Sequence, residues 1–186
     1  MSAIAVLSSC YLYEKLRKKF PTLPENCEDD RRMHEFIITL PKETIERIEL
    51  GGTPKSQAIT RIGKLFLDFG LHAPTVSFPE VSGLMIEPTE SYSKKELDRF
   101  IKVLEAILSL VNNNPEILTS APHFTPVKKV NETEANRILE LGEILTALPA
   151  CHPNVIDPVK LSFMNVEDIC GEIIRAHKKD GLLRHN

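Results

Sequence analysis

No apolar run in this sequence approaches the roughly 20 residues needed to cross a bilayer as a helix. Charge of one sign is not in excess either. The net charge is −3 over 186 residues, so the balance gives no reason to expect nucleic acid or an anionic lipid surface as a partner. The four cysteines, Cys10, Cys27, Cys151 and Cys170, form no CxxC pair and no zinc-like spacing with histidine. They read as buried, reduced thiols. The opening "MSAIAVLSSCYLYEKLRKKF" places its basic residues after its apolar stretch, the reverse of a secretory signal. A cytosolic (cytoplasmic) chain is expected. Internal repeats and low-complexity segments are also missing. What is present is an ordinary globular composition, 42% apolar and 26% charged, enough for one domain with its own core and an appended tail.

The first helix is expected over 3–19, with Ile4, Leu7 and Tyr11 on one stripe and Leu12 and Leu16 beside it. The polar, proline-bearing segment 21–32 reads as a loop, and "HEFIITL" (34–40), bounded by Pro41, reads as a strand. Over 53–70 the pattern is that of a helix with Thr53 as N-cap, Pro54 at the first helical position and Gly70 past the end. "TVSF" (75–78) and "LMIE" (84–87) are short enough, and close enough, to pair as a hairpin.

"GLMIEPTES" (83–91) ends an apolar strand on two carboxylates and two hydroxyls around a proline. Helix capping does not account for them. The cap belongs to Ser93, which opens the capping box Ser93-Lys94-Lys95-Glu96 of a helix over 93–111. Two more helices are expected at roughly 132–148 and 165–179, after an extended stretch over 119–130. Strand, helix, strand, strand, helix implies an α+β fold, a small and mainly antiparallel sheet with helices on one face. The core is expected to contain Ile37, Ile62, Leu65, Phe66, Leu84, Ile86, Leu97, Phe100, Ile101 and Leu104.

"MHEFIITL" (33–40), "FLDFGLHAPTVSFPEVSGLMIEPTESYSKKELDRF" (66–100) and "NNPEILTSAPHFTPVKKV" (113–130) closely resemble the C-terminal part of glycine decarboxylase, the pyridoxal-phosphate-dependent P-protein of the glycine cleavage system. The resemblance covers roughly 1–130. It implies the small C-terminal domain of a type I PLP-dependent (aminotransferase-like) fold, with 131–186 as a divergent helical tail packed on the same domain. It further implies that the cofactor's lysine and most phosphate ligands lie in a large domain upstream, since no lysine here sits in the family's His-Lys setting and no glycine-rich phosphate loop is present. The family's Asp-x-Arg-like ending of the first strand is replaced by "ITLPKETIER".

The resemblance places the loop His72-Ala73-Pro74-Thr75 and the strand end Glu87, Thr89 and Glu90 towards an interdomain cleft. His72 and Thr75 then shape the pocket, and the carboxylates position groups of the large domain. The residues themselves leave other readings open. His72 also suits the C-terminal end of the preceding helix, and Pro88-Thr89-Glu90 can be a turn that satisfies its own amides. His34, opening the first strand, reads as structural. His123, His152, His177 and His185 are scattered and suggest no metal site, and Ser8-Ser9-Cys10 is no nucleophile elbow. The expected function is a C-terminal domain or split subunit completing a PLP site carried by another chain. Alone it would neither bind the cofactor nor catalyse, and its partners would be the missing large domain and the lipoyl carrier H-protein. The alternative is an orphan small domain serving as a binding or regulatory module. No nucleophile–base pair or metal cluster favours an independent enzyme.

Overall fold

The computed structural model describes residues 2–23, 32–77, 83–127 and 154–183. Four strands form one antiparallel sheet: β1 (Thr22–Leu23), β2 (Phe36–Thr39), β3 (Thr75–Val76) and β4 (Gly83–Ile86), in the order β1-β2-β4-β3. The β3–β4 pairing expected from the two short runs is present, with Thr75 opposite Met85 and Val76 opposite Leu84. Residues 78–82, which connect them and include Phe78 at the end of the expected strand, lie outside the described residues.

The helices are α1 (Ser2–Leu16), α2 (Lys42–Leu50), α3 (Lys55–Asp68), α4 (Lys94–Asn113), α5 (Pro158–Phe163) and α6 (Val166–Leu183), with a 3₁₀ turn over Pro115–Thr119. The fold is α+β. Sheet residues Phe36, Ile38, Leu84 and Ile86 are buried with Ile59, Ile62, Leu65, Phe66, Leu97, Leu104 and Ile107 of the helices. On β2 the burial alternates, so that Phe36 and Ile38 point inward and Ile37, expected in the core, is only half-buried. Phe100, also expected there, is half-buried and stacks on Phe66, with ring centroids 5.9 Å apart.

Local chemistry explains most element ends. At α4, the Ser93 hydroxyl accepts from the Glu96 amide (3.3 Å) and the Glu96 carboxylate accepts from the Ser93 amide (2.7 Å). At α3, Gly70 adopts φ 71°. The Gly70 amide donates to the Leu67 carbonyl and the Leu71 amide to Phe66, each at 3.0 Å, which closes the helix as a Schellman motif. Thr53 is not the N-cap of α3. The cap position is Pro54, and the buried Thr53 hydroxyl has no hydrogen-bond partner among the described residues.

Other expectations are corrected by packing. The segment read as a loop over 21–32 contributes the edge strand β1, and α2 arises where no element was expected. On α1 the buried residues are Ser8, Ser9, Leu12, Tyr13 and Leu16, whereas Ile4 (52% exposed) and Leu7 (69%) face out. Cys10 and Cys170 are free thiols but only half-buried; Cys27, Cys151 and the helix expected over 132–148 lie outside the described residues.

The C-terminal helices rest on α3 and α4. The Arg99 guanidinium of α4 donates to the carbonyls of Leu161 (2.8 Å) and Met164 (3.1 Å) at the end of α5, and to Phe69 (3.4 Å) at the end of α3. Gly70 lets α5 come close, because a Cβ there would lie 2.8 Å from the Pro158 carbonyl oxygen.

Candidate functional site

The Schellman turn at Gly70 delivers the chain into the extended stretch Leu71-His72-Ala73-Pro74, from which Thr75 enters β3. Opposite, β4 presents Met85 and Ile86 and ends on Glu87-Pro88, with Pro88 buried and Glu87 exposed. Tyr92, Glu96, Leu97 and Phe100 at the start of α4, and Leu12 of α1, close the third side. Together these residues line a groove of ≈ 430 Å³, within the size range of small-ligand sites.

His72, Thr75 and Glu87 therefore come together from two loops, all three solvent-exposed. Thr89 and Glu90 do not join them. The Thr89 hydroxyl accepts from the Ser91 amide at 3.3 Å and so serves its own turn, and Glu90 is exposed on that turn. Glu96 faces the groove but is committed to the cap, where the Ser93 hydroxyl and amide hold its carboxyl below the usual glutamate range. Among the described residues, the lining contains carboxylates, an imidazole, a phenol and a threonine hydroxyl, and no lysine or arginine.

His34 stands just outside the groove. Its imidazole and the carboxylates of Glu35 and Glu87 each offer a ligand atom, and these atoms all lie within 4.8 Å of one another. The register explains the meeting: Phe36 pairs with Ile86, so the next residues outward, Glu35 and Glu87, face each other across the antiparallel ladder. Glu35 was not singled out from the sequence. Only the strand register places it beside Glu87, 52 positions on by residue number.

A second polar cluster is wholly internal. The Asp68 carboxylate, at the end of α3, accepts from the amides of His123 (2.7 Å) and Phe124 (3.0 Å), and its other oxygen lies 2.8 Å from His123 Nδ1. His123 Nε2 is 3.0 Å from the Ser120 hydroxyl, which is 2.7 Å from His177 Nδ1 on α6. The arrangement resembles an acid–base–nucleophile series, yet Asp68 and His123 are fully buried and Ser120 is 6% exposed. None of the four lines the groove. Its chemistry is that of a joint between α3, the 3₁₀ turn and α6. Burial pushes the Cys170 thiol up, with Glu167 adding to the effect, so it is not an activated nucleophile. No described helix is long and apolar enough to cross a membrane.

A family model described as "Glycine dehydrogenase, C-terminal domain" matches residues 1–123. Similar curated proteins carry the name "Probable glycine dehydrogenase (decarboxylating) subunit 2". That of Thermosipho melanesiensis is 40% identical over 136 residues, 72% of this chain and 26% of the relative. That of Thermotoga maritima is 39% identical over 141 residues, 74% and 27% respectively. That of Legionella pneumophila strain Corby is 37% identical over 150 residues, 78% and 28%. The chain spans about a quarter of the length of these relatives.

Proposed function

This chain belongs to the family of glycine dehydrogenase C-terminal domains, and on that premise we propose that it completes a pyridoxal-phosphate-dependent glycine decarboxylase whose cofactor is held by another domain or chain. Its share is one wall of the cleft, shaped by His72, Thr75 and Glu87. The observation that carries the reading is the groove itself, built from the stretches that resemble the family and lined, among the described residues, without a lysine or arginine. Pyridoxal phosphate requires an amine to condense with its aldehyde and donors or cations for its phosphate. The described groove residues do not fit it, so the cofactor is assigned to the complementary part. The carrier H-protein is a further proposed partner and the cytoplasm the proposed location. Residues 1–130 form the family domain in this reading, and 131–186 are an added helical tail.

The test is reconstitution. The purified chain is mixed with a pyridoxal-phosphate-binding chain prepared from the Thermotoga maritima relative without the stretch matched here. The mixture is expected to release carbon dioxide from carboxyl-labelled glycine when lipoylated carrier is present, whereas this chain alone gives no cofactor absorbance band and no release. A cofactor band from the isolated chain would overturn the proposal. Failure of the two to associate would favour the orphan binding module instead.

A further inference from the structure

We propose that the outward side of α1, Ile4 and Leu7 with Met33 beyond them, is the surface on which the cofactor-binding part of a glycine dehydrogenase seats an apolar face. This rests on the reading above, which supplies the partner, and adds the place and the chemistry by which it docks.

The helix itself carries the argument first. From Ser2 to Tyr13, α1 holds no charged side chain. One side of it enters the core through Leu12, Tyr13 and Leu16, yet the other exposes Ile4 and Leu7, one turn apart. The exposed side chains of α2, α4 and α6 are instead mostly charged. A helix that is apolar all round belongs in the interior of a larger body or in a bilayer. The 15 residues of α1 fall short of the bilayer, which takes roughly 20.

The apolar surface continues beyond the helix. The Cys10 thiol donates to the Arg32 carbonyl at 3.2 Å, which brings the approach to β2 against α1, and the next residue, Met33, is 70% exposed. His34 and Glu35 follow, and their polar atoms lie within 4.8 Å of the carboxylate of Glu87, which lines the groove. Residues 33–35 thus join the outward side of α1 to the wall assigned to the cleft. Apolar residues exposed as a connected set with a polar rim mark an interaction surface, whereas scattered ones do not. Leu50 is of the scattered kind, exposed at the end of α2 beside Glu46, Arg47 and Glu49.

The occupant follows from the relatives. The matching family model is described as a C-terminal domain and begins at residue 1 of this chain. The relatives extend over about three quarters of their length beyond the part matched here. In them, most of that additional chain therefore runs ahead of the stretch that corresponds to α1, and enters the domain beside the positions of Ile4 and Leu7. It is chain enough to cover the face, and it arrives at its edge. A second copy of this chain has no such connection.

The experiment uses the full chain and the Thermotoga maritima probe described above, in a preparation that retains bound pyridoxal phosphate. Affinity is measured by calorimetry over a range of temperatures, and oligomeric state by light scattering. The Ile4→Gln/Leu7→Gln double variant keeps good helix formers at both positions. It is expected to bind at least about tenfold more weakly, with a smaller negative heat-capacity change, the mark of apolar burial. Its circular dichroism and denaturation midpoint should match those of the parent chain, because both side chains are exposed in the free chain. Should the double variant unfold, Met33→Gln, outside any helix, decides by the same readouts. Leu50→Gln should bind as the parent does. Unchanged affinity and heat capacity in the variants overturn the docking face and leave the proposed function standing. No complex with the parent chain overturns both. A homodimer of the free chain dissolved by the double variant would reassign the face to a second copy, and attachment to lipid vesicles lost in that variant would reassign it to a membrane surface. Either outcome also overturns the proposal.

Discussion

Asp68 is the polar residue on which the interior depends most. Its two oxygens satisfy two backbone amides and one imidazole in a place without solvent. Removing this buried carboxylate leaves two amides and an imidazole without their partner, so Asp68→Ala should cost about 3 kcal/mol or more in urea denaturation. A change within error would mean that water replaces the carboxylate. Among the aromatics, Phe66 is fully buried while Phe100 is half-buried against it. Phe66→Ala should cost about 3–5 kcal/mol and Phe100→Ala clearly less, below about 3. Equal losses would place Phe100 in the core, as its helical spacing suggests. The spacing could not separate the two because both lie on apolar faces, and only the groove beside α4 leaves one of them wet. Ile37 and Ile38 teach the same lesson. Phe36-Ile37-Ile38 is apolar throughout, so alternation alone cannot tell which residue turns inward.

At the scale of elements, the ends that were legible are those made by neighbouring atoms. The capping box of α4 is one. Hydrogen bonds from Ser93 hold the Glu96 carboxyl below its ordinary range in the folded chain. A depressed folded-state pKa gives a contribution that is present above the ordinary glutamate pKa and lost as pH falls through the depressed value. Amide protection in the first turn of α4 should therefore fall in acid before the rest of the helix frays. In Ser93→Ala that early step should disappear. The end of α3 is another. Gly70→Ala meets both a left-handed φ and the Pro158 carbonyl, and should destabilise by more than about 1 kcal/mol. Hydrogen exchange should accelerate in α5 and α6 for this variant, and for Arg99→Leu, which removes the donors to Leu161 and Met164. Unchanged exchange in α5 would show that these contacts do not hold it. β1 and α2 were not legible. Two residues carry no periodicity, and α2 buries only Thr44 and Ile48.

At the scale of the whole molecule, the groove and its acidic rim belong to an assembly larger than this chain in the proposed function. Glu87→Gln should lower the glycine-dependent activity of the reconstituted enzyme about tenfold, the worth of one charge-assisted hydrogen bond of about 1.5 kcal/mol. The denaturation midpoint of the chain alone should hold or rise slightly, since the change relieves a repulsion and breaks no described contact. A large loss of stability with full activity would make "EPTES" a turn and nothing more.

The sequence by itself determined the class of the fold, the pairing of β3 with β4, the two main helices with the capping box of one and the glycine end of the other, and the family. Each of these is written in short-range terms: a glycine where φ must be positive, a serine three residues before a glutamate, apolar runs of matching length. His72, Thr75 and Glu87 were also within reach, because they follow element ends that those signals mark. Tertiary structure alone decided the outward turn of Ile4 and Leu7, since apolar residues occur on more than one side of α1 and only its neighbours select the buried one. It alone brought Asp68, Ser120, His123 and His177 to one point, and set Glu35 against Glu87. Such meetings depend on register and packing between segments more than 50 residues apart, and no local preference encodes the partner at that distance.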